Sequence, residues 1–184
     1  MMKTIKVGML GFGNVGTGTY QTLEMNRELI EKHVGASVEI SKILVNDVTK
    51  PRQVVTPDGV LTDNVADIID NPEIDIVAEV LGGIEPASEY MLKALNNGKH
   101  VVTANKAAVA ANYDKLFKAA ADNGVSLRPE ACVAGGIPIL NAITTVLGAN
   151  KFDEILGILN GTTNYILTQM TDNGLDYADV LKDA

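Results

Sequence analysis

Three features of this chain could do chemistry: a glycine cluster near its start, one lysine, and one glutamate. Each follows a segment that reads as a strand. Gly11-Phe12-Gly13-Asn14-Val15-Gly16 comes after the run at 4–10 and before a helix-like pattern. Gly-x-Gly-x-x-Gly in that setting reads as a phosphate-binding turn. Gly11 allows the tight turn, Gly13 lets a pyrophosphate approach the backbone, and Gly16 lets the helix pack close on the strand. The free amides and positive dipole end of the following helix favour an anion there. Lys106 lies in Thr103-Ala104-Asn105-Lys106-Ala107, after another apolar run and before an Ala-rich stretch that can pack tightly. A cation there could hold a carbonyl oxygen or the cofactor, and a desolvated one could move a proton. Its ordinary alternative is a solvated surface charge. Glu130 opens the irregular stretch to Pro138. With nearby backbone carbonyls it could form an oxygen-only site for a hard cation, or it could simply be a helix-capping or hinge carboxylate.

The remaining reactive types carry less. Cys132 is the only cysteine, so no internal disulfide is possible, which suits a reducing cytoplasm. His33 and His100 lie on other elements, and neither is an obvious base for Cys132, so the thiol reads as a buried structural one. His100 reads as a strand-edge residue, and the acidic stretch Asp63 to Asp75 as a solvated face. A net charge of −8 argues against a general nucleic-acid binder. It also means that local donors must overcome the global field at the phosphate turn. The N-terminal apolar run is too short and too broken for a signal peptide, and no stretch reaches the ~18 apolar residues of a membrane span.

The elements that must position these residues alternate. Strands are expected at 4–10, 38–45, 74–80, 99–103 and 125–129. Helices are expected at 14–31, ended by Gly35, and at 62–70, 85–96 and 113–123. On the first helix Val15, Thr19, Leu23 and Ile30 share one face. The stretch 48–60 reads as a loop with a short strand at 53–56. This βα rhythm predicts an α/β fold, a Rossmann-type doubly wound parallel sheet. The turns after the strands, including Glu79-Val80-Leu81-Gly82-Gly83, are expected at one crevice. After Glu130 the rhythm changes: helix at 139–147, strand at 152–159, polar turn at 161–164, then helices at 165–170 and from Tyr177 onward. The expected division is a cofactor domain at 1–134 and the start of an α+β substrate and dimerisation domain at 135–184. The helical pattern at the end carries no stop signal, as in a piece of a longer protein.

Taken in order, Gly11 through Gly16, Glu79 through Gly83, Thr103 through Ala107 and Glu130 through Pro138 resemble homoserine dehydrogenase. Gly157-Ile158-Leu159-Asn160-Gly161-Thr162-Thr163-Asn164-Tyr165-Ile166-Leu167 adds the most specific match. The resemblance implies reversible hydride transfer between L-homoserine and L-aspartate 4-semialdehyde with NADP or NAD, on the route to threonine and methionine. It implies cofactor contacts at Gly11, Phe12, Gly13, Asn14, Val15, Gly16, Asn46, Asp47, Gly82, Gly83, Thr103 and Lys106. Lys106 would also contact substrate and help move the proton. Substrate contacts would come from Gly161, Thr162 and Asn164. A monovalent cation, usually sodium, would sit on Glu130 with backbone oxygens of Val133, Gly135 and Ile137. A cytoplasmic homodimer is implied for the full-length protein, with 152–159 giving one strand of its sheet.

The chain departs from the family at two places. A second lysine and several acidic residues of the family's substrate domain lie past Ala184, so the expectation is cofactor binding with very poor turnover. At the end of the second strand many relatives carry an arginine before the aspartate, where this chain has Asn46. Asp47 would accept from a free 2′-hydroxyl and repel a 2′-phosphate, whereas Lys50 and Arg52 could reach a phosphate. The choice between NAD and NADP therefore stays open. The alternatives are another NAD(P)-dependent amino-acid dehydrogenase or a non-catalytic NAD(P)-binding module.

Overall fold

A computed structural model describes residues 3–184, which form two compact units, one ending at Pro129 and one running Glu130–Ala184. The first unit is built on six strands: β1 (Thr4–Leu10), β2 (Ser37–Leu44), β3 (Leu61–Thr62), β4 (Ile76–Glu79), β5 (His100–Thr103) and β6 (Leu127–Arg128). They form one sheet in the order β3-β2-β1-β4-β5-β6 with every pair parallel. This is the doubly wound order, whose direction of winding reverses between β1 and β4. Its helices are α1 (Asn14–Met25), α2 (Arg27–Val34), α3 (Ala66–Ile69), α4 (Ala87–Asn96) and α5 (Lys106–Asp122).

The register places the chemistry at one edge. Leu10 pairs with both Leu44 and Glu79, and Glu79 pairs with Thr103. The carboxyl ends of four strands therefore stop level, and the turns that follow them start from one line. Beneath that edge lies a core of Met9, Phe12, Tyr20, Ile40, Ile43, Val45 and Val60. Each such side chain contributes roughly 1.5–3 kcal/mol on burial. Phe12 meets Tyr20 edge to face, with centroids 5.8 Å apart, so a residue of the glycine turn is itself anchored in the core.

Several elements differ from expectation. The helix expected at 14–31 is broken at Asn26, whose side chain donates to the Thr22 carbonyl at 2.9 Å; Gly35 ends α2 as anticipated. Its inward residues are Gly16 and Tyr20, while Val15 is exposed, because the close approach at Gly16 fixes the helix's rotation. The short strand lies at Leu61–Thr62, beside Ile43 and Leu44, and not at 53–56. With Thr62 committed to that strand, the helix expected from there shortens to Ala66–Ile69. The helix expected at Tyr113 begins at Lys106. It is interrupted at Asn112 (φ −128°, ψ 27°), which hid its first two turns from the periodicity.

In the second unit Glu130–Cys132 is a short 3-10 turn. Then follow α6 (Ile139–Asn141), which widens into a π turn at Ala142–Val146, α7 (Gly161–Asn173) and α8 (Tyr177–Asp183). The strand expected at 152–159 does not form. No strand pairs with it among the described residues, and a lone strand leaves its amides and carbonyls unpaired. Leu156 stands 84% exposed there. The polar turn at 161–164 is instead the first turn of α7, capped by Asn160, whose side chain accepts from the Thr163 amide at 2.9 Å. Among the described residues no helix is long and apolar enough to cross a membrane.

Candidate functional site

The glycine turn shows why the fold needs two of its three glycines. Gly11 sits at φ +104°, and a Cβ there would meet the Val80 carbonyl oxygen at 2.9 Å. A Cβ on Gly16 would meet the Gly11 oxygen at 2.5 Å, so strand end and helix touch through backbone alone. Gly13 has open space around it. No fold constraint on this backbone excludes a side chain at 13, whereas a ligand that must reach the backbone would. Gly13 is also the N-cap of α1 and no side chain caps the helix. The amides of its first turn are left for an anion.

Two clefts meet at this turn. The first, about 410 Å³, is lined by Gly11, Phe12, Gly13, Asn46, Asp47, Lys50, Arg52, Val80 and Leu81 among others. The second, about 470 Å³, includes Gly13, Asn14, Val15, Gly82, Gly83, Asn105 and Lys106, and shares Val80 and Leu81 with the first. The pair lies at the β1/β4 reversal, along the carboxyl ends of the strands, where doubly wound sheets take their ligands. Gly11, Phe12, Gly13, Asn14, Val15, Asn46, Asp47, Gly82, Gly83 and Lys106 all line one cleft or the other. Gly16 supports the turn from below.

In the first cleft the Asp47 carboxylate is already engaged. Its Oδ1 accepts from the Thr49 hydroxyl at 2.7 Å and the Thr49 amide at 2.8 Å. The Thr49 hydroxyl, foremost, and its amide hold the carboxyl below the ordinary aspartate value. The Arg52 guanidinium donates to the Asp47 carbonyl at 2.9 Å and lies 5.7 Å above the Phe12 ring centre. Its Nε is buried with no hydrogen-bond partner. A planar cation is thus stacked in place against the cleft.

The second cleft is organised by a group that the sequence motif contains without revealing its role. Glu79 is fully buried. One of its oxygens accepts from the Leu81 amide at 2.9 Å and from Asn105 Nδ2 at 3.3 Å, and the other from the Thr103 hydroxyl at 2.6 Å. Asn105 also donates to the Gly83 carbonyl at 2.7 Å and caps α5 by accepting from the Ala108 amide at 3.1 Å. Lys106 is the first residue of that helix and is exposed rather than desolvated. A polar residue closing an apolar parallel strand is the signal that could have drawn attention to Glu79; its pairing opposite Thr103 is visible only in the folded sheet.

In the second unit Glu130 is a cap. Its two oxygens accept from the amides of Leu140 at 2.9 Å and Asn141 at 2.7 Å. Val133, Gly135 and Ile137 lie in the turn between, which passes through left-handed backbone at Ala134 and Gly135. Among the described residues no group of three or more His, Cys, Asp or Glu side chains gathers as a metal site. Gly161, Thr162 and Asn164 are exposed on the first turn of α7. Cys132 is half-buried rather than buried. His100 starts β5 as anticipated, and its Nδ1 accepts from the Ser126 amide at 3.1 Å.

A parallel sheet wound in this order, with a glycine turn at its reversal and paired clefts above it, defines a dinucleotide-binding Rossmann unit. The family described as "Homoserine dehydrogenase, NAD binding domain" matches residues 11–130, and that described as "Homoserine dehydrogenase" matches residues 138–184. Homoserine dehydrogenase of Bacillus subtilis is 44% identical over 183 residues, covering 100% of this chain and 42% of its own length. That of Pseudomonas aeruginosa is 44% identical over 184 residues, with 100% and 42% covered. The solved structure of a homoserine dehydrogenase from Thiobacillus denitrificans superposes with a TM-score of 0.86 at 46% identity, covering 100% of this chain and 42% of that one. A homoserine dehydrogenase of S. aureus at pH 6.0 gives 0.75 at 37%, covering 100% and 45%. This chain belongs to the homoserine dehydrogenase family, and it spans 42% of the length of the Bacillus subtilis relative.

Proposed function

We propose that these residues are the cofactor-binding part, with the start of the substrate domain, of an oxidoreductase that interconverts L-homoserine and L-aspartate 4-semialdehyde with a nicotinamide dinucleotide. The observation that carries this reading is the pair of clefts joined at Gly13 below the uncapped start of α1. The adenosine half fits the first cleft, the pyrophosphate the amides after Gly13, and the nicotinamide half the second cleft beside Gly82, Gly83 and Lys106; Thr103, expected as a cofactor contact, is buried and lines neither cleft, its hydroxyl being turned to Glu79. When bound, the cofactor supplies or accepts the hydride. In the reducing direction the aldehyde oxygen gains negative charge. The Lys106 ammonium stabilises that charge and hands the oxygen a proton. Gly161, Thr162 and Asn164 contact the substrate.

Glu130, with the carbonyls of Val133, Gly135 and Ile137, would hold the monovalent cation. An all-oxygen set with one formal charge fits such an ion, and each carboxylate oxygen keeps a second acceptor direction beside its amide. A cofactor domain at 1–134 and the start of a substrate domain at 135–184 are the division we propose, supported by two compact units that part between Pro129 and Glu130, and a cytoplasmic homodimer is the assembled form we propose.

NADP is the preferred dinucleotide in this reading. Thr49 takes up one oxygen of the carboxylate that would accept from a 2′-hydroxyl, while Lys50 and stacked Arg52 line the same cleft. Fluorescence titration of the chain with NADPH and NADH tests both claims. NADPH is expected to bind more tightly, and Arg52→Ala to weaken NADPH by about tenfold while leaving NADH nearly unchanged. Absence of binding by either cofactor would refute the dinucleotide reading. For the full-length protein, homoserine-dependent reduction of NADP with aspartate semialdehyde as product tests the reaction. Its loss in Lys106→Ala at saturating cofactor, beyond any change in cofactor affinity, tests the proton role.

A further inference from the structure

Burying a carboxylate costs free energy that an apolar residue in the same place would not. Glu79 is nonetheless the best hidden charged residue in the sheet, with 0% exposure. It is not spent on the core: every bond it makes goes to the turns after β4 and β5 or to the last residue of β5. The Leu81 amide fixes the backbone entering Gly82-Gly83. The Thr103 hydroxyl, held by Glu79, accepts from the Asn105 amide at 2.9 Å. The Asn105 side chain, also held by Glu79, ties the Gly83 carbonyl to the first turn of α5. The residue after Asn105 is Lys106.

We propose that Glu79 is a positioning residue for the nicotinamide half of the site, setting the Leu81–Gly83 backbone and the start of α5 that presents Lys106. The inference rests on the dinucleotide reading above. It separates the two halves. The side-chain bonds of Glu79 go to Leu81, Thr103 and Asn105, not to the residues confined to the first cleft, such as Asn46, Asp47, Lys50 and Arg52, and the clefts share only Gly13, Val80 and Leu81. Losing the carboxylate should therefore loosen the grip on the nicotinamide end and leave the adenosine end as it was.

The experiment uses the 184-residue chain and two probes: NADPH, and 2′-phospho-ADP-ribose, which lacks nicotinamide. Glu79→Gln keeps the volume but removes one acceptor. It should weaken NADPH by about tenfold and 2′-phospho-ADP-ribose by less than about twofold. The emission shift of bound NADPH should shrink with it. Because a buried substitution can impair folding, Thr103→Val provides a second route: it keeps the shape and removes the hydroxyl. It should show the same split, and Thr103→Ser should restore the parent affinities. Equal weakening of both probes, or no weakening of NADPH, in folded Glu79→Gln or Thr103→Val would overturn the proposal. Failure of the unsubstituted chain to bind either probe would instead refute the dinucleotide reading beneath it.

Discussion

Two helices begin at the same edge of the sheet, and their first turns are built in opposite ways. The start of α1 has glycine at its cap and no side-chain acceptor for its amides. The start of α5 has Asn105, whose oxygen satisfies the Ala108 amide, and behind it the buried Glu79. A helix end without a cap gives up about 1 kcal/mol unless something else fills the place. The difference teaches which end the protein closes with its own side chains and which it does not. The α1 end is left without a side-chain cap, which suits an anion. The α5 end is closed by the chain's own polar groups, so that its first residue, Lys106, is held steady at the rim of the second cleft.

Substitutions that remove this asymmetry rank by how much of the edge they disturb. Gly16→Val places branched carbons where even a Cβ stands 2.5 Å from the Gly11 oxygen. It should cost on the order of 3 kcal/mol and abolish dinucleotide binding, read by thermal melting and titration. Asn105→Ala should cost about 1–2 kcal/mol, from the lost cap and an acceptor left unpaired at Gly83. For a chain of this size that lowers the melting temperature by about 2–4 °C for each kcal/mol. NADPH binding should weaken with it, whereas a cap at Gly13 (Gly13→Ser) should weaken binding with no comparable loss of stability.

The smallest effect belongs to Asp47. Its folded value lies below its unfolded one, chiefly through the Thr49 hydroxyl. The stability it contributes is therefore fully present above the unfolded value of about 3.9 and lost as pH falls through the folded value. Thr49→Val should shift that loss toward higher pH in an acid-unfolding curve, or in the carboxyl chemical shift of Asp47, and leave stability at pH 7 little changed because the group is exposed.

The α/β rhythm, the parallel sheet and the glycine turn between β1 and α1 were legible in the sequence because each rests on local pattern: apolar runs, helical spacing, glycines at fixed offsets. The roles of Gly11 and Gly16 could be read from type and spacing alone. What could not be read depends on pairing between distant elements. Glu79 and Thr103 meet only because β4 and β5 align in register. Asp47 was legible as a candidate ribose acceptor, but its engagement by Thr49 depends on a loop conformation that composition does not specify. The early start of α5 was masked by the irregular backbone at Asn112. The strand expected at 152–159 has the right residues for a sheet, but a strand also requires a neighbour. Among the described residues of its unit it has none. Glu130 was read with a cap and a cation ligand both open, and the bonds it makes here are those of a cap.

The open start of α1 is tested most directly by Gly13→Ala, measured as paired melting and NADPH titration. No atom lies within 4 Å of where the new methyl group would stand. The variant should melt within about 4 °C of the parent, because the site is free of clashes and replacing glycine by alanine at an N-cap costs no more than about 1 kcal/mol. It should nonetheless bind NADPH at least about tenfold more weakly, because the methyl group occupies the pyrophosphate's approach. A Gly13→Ala chain that binds NADPH as tightly as the parent would contradict the assignment of this turn as the phosphate seat.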